Sequence, residues 1–373
     1  MKIGIDISQI VHWTGVSFYT RNLVKALAKI DKKNQYLLFG GSLRRKDVLQ
    51  DFVDEIQAIN KNFSAKIITL PPTLAELLFN RCHCLPIEKF IGPIDIFHTS
   101  DWTEPPAKAA KITTLHDLTF LKTGKEVHPR VLNAHRRRLN WVKKEADLII
   151  AVSQATKQDA VKILEIKPSQ VRVIYEAAPE DLERVREEKK IEKIKREYGI
   201  KGNYLLVIAP WQPRKNFKRI IQAFKMLSDL DLSLVVVGYS EIKIPLGDKK
   251  IIFTDFVSQG EKINALYSGA SCLVYPSLYE GFGLPILEAF ICGCPVVTSN
   301  VSSMPEVAGK AAVLVNPRSI SDIARGINEA LEKREVLIKA GLKRAKQFSW
   351  EKAARETLKV YEEAYQIHQK KQI

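Results

Sequence analysis

The sequence of 373 residues lacks the apolar runs that mark membrane-spanning and exported proteins. No segment approaches the roughly 18 consecutive apolar residues that a spanning helix needs. Near the N-terminus, Asp6 interrupts the only apolar stretch, so the pattern of a secretory signal peptide is missing. We therefore expect a cytoplasmic protein that is at most peripheral on the inner face of the membrane.

Cysteine is also scarce, and its spacing argues against both disulfides and zinc. The five cysteines include two pairs, Cys82 with Cys84 and Cys292 with Cys294, and each pair encloses one residue. Structural zinc sites usually use pairs that enclose two residues or more. We therefore expect reduced cysteines with structural roles, and no bound metal or cofactor.

Acidic residues are outnumbered by basic ones, which gives a formal net charge of +16. The excess is spread evenly, because residues 1–180 hold 27 Lys and Arg against 19 Asp and Glu, and the remainder holds 31 against 23. A nucleic-acid-binding domain would concentrate this charge and interleave it with aromatic residues. We therefore expect no nucleic-acid partner.

The densest basic patch is a predicted helix that carries Arg136, Arg137, Arg138, Lys143 and Lys144. Such a face attracts anionic lipid, a phosphorylated acceptor or nucleic acid. A solvated helix face without any partner is an equal alternative. The first reading predicts that Arg136, Arg137 and Arg138 give the protein a peripheral contact with an anionic membrane.

What the sequence does contain is a regular alternation of short apolar runs with helical segments. The runs are KIGIDI, YLLFG, AKIITL, DIFHTS, KITTLHD, DLIIAVS and VRVIY, then YLLVIAP, LSLVVVG, KIIFTD, CLVYPS and PVVTSN. This order predicts two successive α/β units with mostly parallel sheets, joined near residues 176–200. Because ligands of such sheets bind beyond the carboxyl ends of the strands, the residues that follow each strand are the ones to examine.

One Gly-rich segment directly follows the strand CLVYPS. It holds Glu280, Gly281 and Gly283, and Pro285 is suited to the first position of a helix that carries Glu288. Backbone N–H groups at such a helix N-terminus receive phosphate or sugar oxygens, and the two carboxylates can accept hydrogen bonds from sugar hydroxyls. The alternative is an ordinary turn in which Glu288 only complements the helix dipole.

Three further positions after strands carry residues that can contact a phosphorylated sugar. Arg214 and Lys215 follow YLLVIAP and could clamp a diphosphate, while Asn216 fits a helix N-cap. In the first half, His116 ends the strand KITTLHD, and Gly15 follows the first strand with a backbone that a phosphate can approach. Read alone, the cations could form a mere exposed basic turn.

Together these residues resemble the retaining GT-B glycosyltransferases of family four, also described as group 1 glycosyl transferases, from about Lys2 to Gln366. The matching motifs are the E-x7-E signature from Glu280 to Glu288 within PSLYEGFGLPILEA, PRKN at 213–216, TLHDLTFL at 114–121, AVSQATKQD at 151–159, FVSQGEKINALYSGA at 256–270 and SNVSSMPEVAG at 299–309. The resemblance implies two Rossmann-like domains that face each other across a cleft, with the C-terminal helix crossing back to the N-domain. The implied bounds are 1–178 for the acceptor-side domain, 179–349 for the nucleotide-sugar-binding domain and 350–373 for the helix.

The resemblance also implies a role for each motif residue. Arg214 and Lys215 would neutralise the diphosphate of the donor, which is the leaving group. Glu288 would accept the ribose hydroxyls and Glu280 would face the donor sugar, while His116 would contact that sugar near the reacting carbon. The remaining donor contacts would be made largely through the backbone, by Gly15, Val257, Gly281, Phe282, Gly283 and Leu284.

The implied activity is metal-independent transfer of a hexose from a nucleotide-diphosphate sugar to a glycan or lipid-linked acceptor, with retention of configuration, in cell-envelope polysaccharide biosynthesis. Mannose from a guanosine diphosphate donor is one candidate. A nucleotide-sugar epimerase of the same fold and a non-catalytic sugar- or membrane-binding relative are the alternatives.

The sequence departs from the family pattern at two places, where Ala209 replaces an arginine of many relatives and Gly15 stands alone in a loop that often has consecutive glycines. A third feature, Asp229-Leu230-Asp231, spells the D-x-D of metal-dependent transferases with another fold. It precedes LSLVVVG, at the sheet end away from the expected site, so we interpret it as chance.

Overall fold

The computed structural model describes residues 1–12, 14–99, 101–122, 128–208, 211–227, 231–238, 250–255, 257 and 260–372. The chain forms two compact units. The N-terminal unit comprises Met1–Glu176 and Ser349–Ile373, and the C-terminal unit comprises Ala177–Phe348. Ala209, Asp229 and Leu230 lie outside the described residues, so the interpretations placed on them remain predictions.

The N-terminal unit is built on a parallel sheet of seven described strands. They are β1 (Lys2–Asp6), β2 (Gln35–Gly41), β3 (Phe63–Ile68), β4 (Ile96–Thr99), β5 (Ala110–Leu115), β6 (Leu148–Ala151) and β7 (Val171–Val173). Their order across the sheet is β3-β2-β1-β4-β5-β6-β7, so the direction of winding reverses between β1 and β4. Ligands of doubly wound sheets bind at such a switch point.

Helices cover this sheet because their apolar residues recur with helical spacing. They are α1 (Gly15–Ile30), α2 (Lys46–Ile59), α3 (Pro72–Ala75), α4 (Glu88–Ile91), α5 (Thr119–Lys122), α6 (Pro129–Glu145) and α7 (Gln154–Leu164). A π-helical turn at Glu76–Cys82 continues directly from α3, and short 3-10 turns lie at Ser8–Val11 and Pro168–Gln170. In α1, Thr14 caps the N-terminus by accepting from the Ser17 N–H at 3.4 Å.

The C-terminal unit has a second parallel sheet, with six described strands. They are β8 (Asn203–Ile208), β9 (Leu232–Val237), β10 (Ile251–Phe253), β11 (Cys272–Tyr275), β12 (Val296–Ser299) and β13 (Val313–Val315). Their order is β10-β9-β8-β11-β12-β13, which places the switch point between β8 and β11. The strands are apolar on both faces because helices bury both.

The helices of this unit follow the same alternation. They are α8 (Glu188–Glu197), α9 (Phe217–Lys225), α10 (Glu261–Gly269), α11 (Leu284–Ile291), α12 (Met304–Ala308), α13 (Ile320–Glu332) and α14 (Arg334–Ala345). A 3-10 turn at Pro213–Lys215 precedes α9. The twelve predicted strands all occur, whereas β13 is a strand that the sequence pattern missed.

The last helix, α15 (Trp350–Gln372), packs on the N-terminal unit against α1 and β5. Its Tyr361 hydroxyl lies 2.8 Å from Nδ1 of His98, and the Trp350 ring meets the edge of Tyr19 at a centroid distance of 5.7 Å. Val360, Tyr361 and Ala364 are buried there. The apolar face of α15 is therefore part of the core of the first unit, although it lies at the other end of the sequence.

Candidate active site

A buried carboxylate between two cations forms the centre of the C-terminal unit's switch point. Lys215 Nζ lies 2.8 Å from Glu280 Oε1, and Arg214 Nη1 pairs with Glu280 Oε2. Arg214 Nη1 also donates to the Tyr279 carbonyl at 3.1 Å. The two cations come from the turn after β8 and the carboxylate from the loop after β11, and these strands are neighbours in the sheet. The structure thus brings together three residues that the sequence motifs singled out.

The charge state of Glu280 follows from its surroundings. Burial by itself would raise the pKa of Glu280, but the charges of Lys215 and Arg214 outweigh it and lower that pKa to about 2. The carboxylate is therefore ionised at neutral pH, and the three side chains together carry one net positive charge. An anionic ligand can approach such a centre because one cation remains in excess.

Neighbouring groups hold the two cations in place. The Lys215 ammonium donates to the Tyr275 hydroxyl at 2.7 Å and lies 4.7 Å from the centre of that ring. Asn216 adopts a left-handed conformation with φ of 64°, and its side chain donates to the carbonyls of Pro276 at 3.0 Å and Pro317 at 2.6 Å. Asn216 occupies the N-cap position of α9, as predicted, but its side chain makes no capping hydrogen bond. That amide instead joins the basic turn to the loops after β11 and β13.

The second carboxylate of the signature has the opposite environment. Glu288 lies on α11, which begins at Leu284, so Pro285 occupies the second helical position and not the first. The Tyr267 hydroxyl donates to Glu288 Oε2 at 2.6 Å. Burial raises the pKa of Glu288, and neither the Tyr267 hydrogen bond nor the Lys215 charge fully offsets that effect. Glu288 is thus the more basic of the two carboxylates.

The remaining predicted donor contacts lie in the loop before α11 and at one isolated position. Gly283 has φ of 104°, which a residue with a β-carbon rarely adopts, and it turns the chain into the helix. Gly281 and Phe282 are buried, and the Phe282 ring packs edge-on against Phe348 at 6.0 Å. Val257 is also buried. Their roles in donor binding remain predictions.

In the N-terminal unit, His116 follows β5 and pairs with a carboxylate that the motifs did not indicate. Its Nδ1 lies 3.2 Å from Oε1 of Glu176, and the Tyr19 ring meets it edge-on at 4.7 Å. Burial alone would lower the pKa of His116, but Glu176, together with the charges of Asp101 and Asp117, raises it above the usual value. Glu176 follows β7 by three residues, so its place after a strand was a signal that could have found it.

His116 also lines a small cavity of about 20 Å³ at the switch point of the first sheet. Asp6 at the end of β1 and Gln9 in the following turn line the same cavity. Gly15 begins α1, and among the described residues no atom apart from its chain neighbours and the nearby backbone of α1 lies within 4 Å of the position where its β-carbon would be. The backbone at Gly15 is therefore open to a ligand within this unit.

The basic face predicted on α6 is wrong in part. Arg138 is only 1% exposed, because its guanidinium donates to Thr113 Oγ1 at 2.6 Å and lies 3.3 Å from Asp101 Oδ1. Arg137 pairs with Glu76 at 2.6 Å. Arg136 is exposed. Helical spacing places Arg138 in the core, where the partly buried carboxylate of Asp101 neutralises it. The three arginines therefore do not form one surface.

No group of three or more His, Cys, Asp and Glu side chains in the described ranges is arranged to hold a metal ion. None of the described helices is long and apolar enough to cross a membrane.

The fold and the two strand-end sites define a GT-B glycosyltransferase, and comparison with known proteins gives the same class. The structure of Anabaena Alr3699/HepE in complex with UDP-glucose superimposes with a TM-score of 0.69 and 16% identity, covering 97% of this chain and all of that one. The O-antigen chain mannosyltransferase B of Escherichia coli is 29% identical over 93% of this chain and 96% of its own length. The serotype-specific mannosyltransferase WbdA of Escherichia coli is 32% identical over 56% of this chain, which is 28% of that longer protein.

Two family descriptions match adjoining parts of the chain, Glycosyltransferase Family 4 at residues 13–182 and Glycosyl transferases group 1 at residues 190–355. The chain belongs to this family of glycosyltransferases, and the predicted hexosyltransferase activity is confirmed at that level. The alternative of a nucleotide-sugar epimerase finds no support in these relatives, which are named as transferases.

Proposed function

We propose that this glycosyltransferase moves mannose from a nucleoside diphosphate donor to a glycan or lipid-linked acceptor of cell-envelope polysaccharide synthesis. The observation that supports donor binding is the pairing of Arg214 and Lys215 with the single carboxylate of Glu280. Mannose is the candidate because a relative that matches 93% of the chain and another that matches 56% of it are both named as mannosyltransferases. The guanosine base is the first one to test.

In this proposal the diphosphate binds to Arg214 and Lys215. Their charges, with the backbone N–H groups at the start of α11, offset the negative charge that develops on the leaving diphosphate as the sugar bond breaks. Glu280 stays ionised and accepts a hydrogen bond from a hydroxyl of the donor sugar. Glu288 accepts hydrogen bonds from the ribose hydroxyls. Gly15, Val257 and the loop 281–284 contribute backbone contacts.

Retention of configuration follows in this scheme from attack on the same face as the leaving group. The carboxylate that would face the sugar, Glu280, is held by two cations, and its pKa of about 2 makes it a weak nucleophile. We therefore assign it an electrostatic role instead of a covalent one. His116, whose pKa Glu176 raises, is assigned the contact with the transferred sugar.

The experiment is a transfer assay with GDP-mannose, UDP-glucose and related donors, in which released nucleoside diphosphate and glycosylated product are both measured. Arg214→Gln with Lys215→Gln should lose most turnover and nucleoside diphosphate binding. The matched control is Lys218→Gln with Lys225→Gln, since both lysines are exposed on α9 and outside the charged centre. Equal turnover by the two double variants would refute the proposed donor site, and transfer from another donor alone would refute mannose.

A further inference from the structure

A second cavity of the N-terminal unit, here called the apolar groove, is large enough for a ligand and has no role in the donor site. It measures about 460 Å³. Its walls include the apolar side chains of Val11, Phe39, Leu70, Phe79 and Trp102. Ligand pockets typically measure about 300–1,000 Å³ and are mostly apolar, so the groove can hold a chain of hydrocarbon.

The opening of the groove is itself apolar. Leu43 and Trp102 line it and are 47% and 45% exposed. Leu74 and Leu77 are each 41% exposed and flank in sequence the lining residues Ala75 and Glu76. Several large apolar side chains that are exposed together at one cavity are typical of a binding surface, whereas single exposed apolar residues are common on any protein.

The charges at the groove select an anionic ligand. Arg44 and Arg45 line it and are exposed, and no carboxylate of the described residues pairs with either. Arg45 donates to the Val11 carbonyl at 3.1 Å, which holds its guanidinium at the groove. The acidic lining residue, Glu76, is already neutralised by Arg81 and Arg137. Guanidinium groups bind phosphate with paired hydrogen bonds, so an apolar chain with a phosphate head fits these features.

One residue joins the groove to the cavity beside His116. Gln9 lines both, and it is only 5% exposed. Its amide nitrogen donates to the Asp6 carbonyl at 3.1 Å and to Thr20 Oγ1 at 2.7 Å. Its oxygen Oε1 is buried without a hydrogen-bond partner among the described residues. A hydroxyl that reaches from the groove towards His116 would satisfy this acceptor.

We propose that the apolar groove binds the isoprenoid or alkyl chain of a phosphate-linked glycan acceptor, with Arg44 and Arg45 on the phosphate and Gln9 on a sugar hydroxyl. This inference rests on the proposed transfer to a lipid-linked acceptor and narrows it to an anionic lipid. It places the lipid binding in the apolar groove, whose lining includes Arg44 and Arg45, and not on the exposed basic face that was predicted for α6.

The first test measures binding of farnesyl phosphate, farnesol and inorganic phosphate to the full chain by calorimetry. Farnesyl phosphate should bind more tightly than either fragment. Arg44→Gln with Arg45→Gln should weaken farnesyl phosphate about tenfold or more and leave farnesol unchanged, because charge-assisted hydrogen bonds are lost. Ala134→Trp, which fills the groove, should abolish binding of both lipids. The matched control is Lys61→Gln with Lys66→Gln, which removes two exposed charges from the same unit.

A second measurement separates this inference from the proposed function. With a lipid-linked acceptor, the groove variants should raise the acceptor KM at least tenfold, while donor hydrolysis and nucleoside diphosphate binding stay at the parent level. Equal farnesyl phosphate binding by the parent and Ala134→Trp would overturn the proposed lipid binding in the groove. Binding of inorganic phosphate as tight as that of farnesyl phosphate would also overturn it. If the parent binds farnesyl phosphate in the groove and transfers no hexose, the groove stands and the proposed function fails.

Discussion

The two units share one architecture, but the carboxyl ends of their sheets carry different chemistry. In the C-terminal unit, two cations share the buried carboxylate of Glu280 in one connected ionic centre. In the N-terminal unit, the pair of His116 and Glu176 lies beside a small cavity, and a much larger apolar groove adjoins it at Gln9. The fold therefore determines where a site lies, whereas the side chains after each strand determine what the site binds.

The difference also appears in how each site can respond to a ligand. Arg214 and Lys215 already have a negative partner in Glu280. A diphosphate must therefore compete with Glu280 for these cations, or bind through the net positive charge of the three side chains. Arg44 and Arg45 have no carboxylate partner among the described residues, so a phosphate there does not compete with a carboxylate. Substitutions that remove one charge at a time can test whether the two sites differ in this way.

The largest effect is expected from Glu280→Gln, which breaks the ionic centre of the C-terminal unit. Because the folded pKa of Glu280 is lowered from 4.5 to about 2, its charge stabilises the fold above the unfolded pKa, and this contribution disappears as the pH falls through about 2. The difference corresponds to about 3 kcal/mol at pH 7. Chemical denaturation of parent and variant from pH 7 to pH 3 should show that the difference between their free energies of unfolding becomes smaller as the pH falls.

The same variant tests the competition for the cations. Without the Glu280 charge, a nucleoside diphosphate should stabilise the variant against heat more than it stabilises the parent, although turnover should fall. The control is Glu332→Gln, which removes an exposed carboxylate of the same unit. A parent-like stability and turnover in Glu280→Gln would show that the ionic centre has no role.

A smaller effect is expected where Glu288 accepts hydroxyls. Glu288→Ala should mainly raise the donor KM, since the ribose contact is equal in ground and transition states. The loss of one or two hydrogen bonds corresponds to about 1–3 kcal/mol of donor binding. Tyr267→Phe should change KM in the same direction and by less, because loss of its hydroxyl raises the Glu288 pKa further. A fall in turnover with unchanged KM would contradict this assignment.

Glu176→Gln is expected to have a still smaller effect, and it tests the N-terminal site alone. Since the folded pKa of His116 is raised, the pair stabilises the fold fully below the unfolded pKa of 6.5, and that stabilisation is lost as the pH rises through the folded pKa. The variant should therefore be less stable than the parent at pH 5–6, on the order of 1 kcal/mol, and equal to it at alkaline pH. If the difference in stability between parent and variant does not depend on pH, Glu176 acts only by packing.

The sequence predicted the fold well because both sheets are buried on two faces and read as apolar runs. It missed the edge strand β13 (Val313–Val315), although the equally short edge strands β7 and β10 were predicted, so length alone does not explain the miss. Glu280 and Glu288 were found because their spacing is local and lies in one loop and helix. Their opposite pKa shifts depend on burial and on the charges of Lys215 and Arg214, and a local sequence pattern predicts neither.

Long-range pairs set the limit of sequence reasoning at the N-terminal site. Glu176 is 60 residues from His116, and only the adjacency of β5, β6 and β7 brings the two together. Arg138 looked like a surface charge beside two other arginines, but its partner Asp101 lies 37 residues away. The apolar groove combines residues from five separate segments, so periodicity could not indicate it.

The smallest expected effect is that of a metal chelator, which we predict to leave turnover nearly unchanged. The donor diphosphate would be neutralised by Arg214 and Lys215, and the N-terminus of α11 would add its dipole, so those groups would supply the charge that a divalent ion supplies elsewhere. Transfer should be measured in excess chelator, beside a manganese-dependent transferase that the same chelator inactivates. If Lys215→Gln keeps some activity, added magnesium should partly restore turnover, since an ion can then take the place of the missing cation.

A complete loss of parent activity in chelator that manganese restores would contradict the prediction. The comparison of the two units would then change, because the ionic centre of Glu280 would be an incomplete phosphate site without a bound ion.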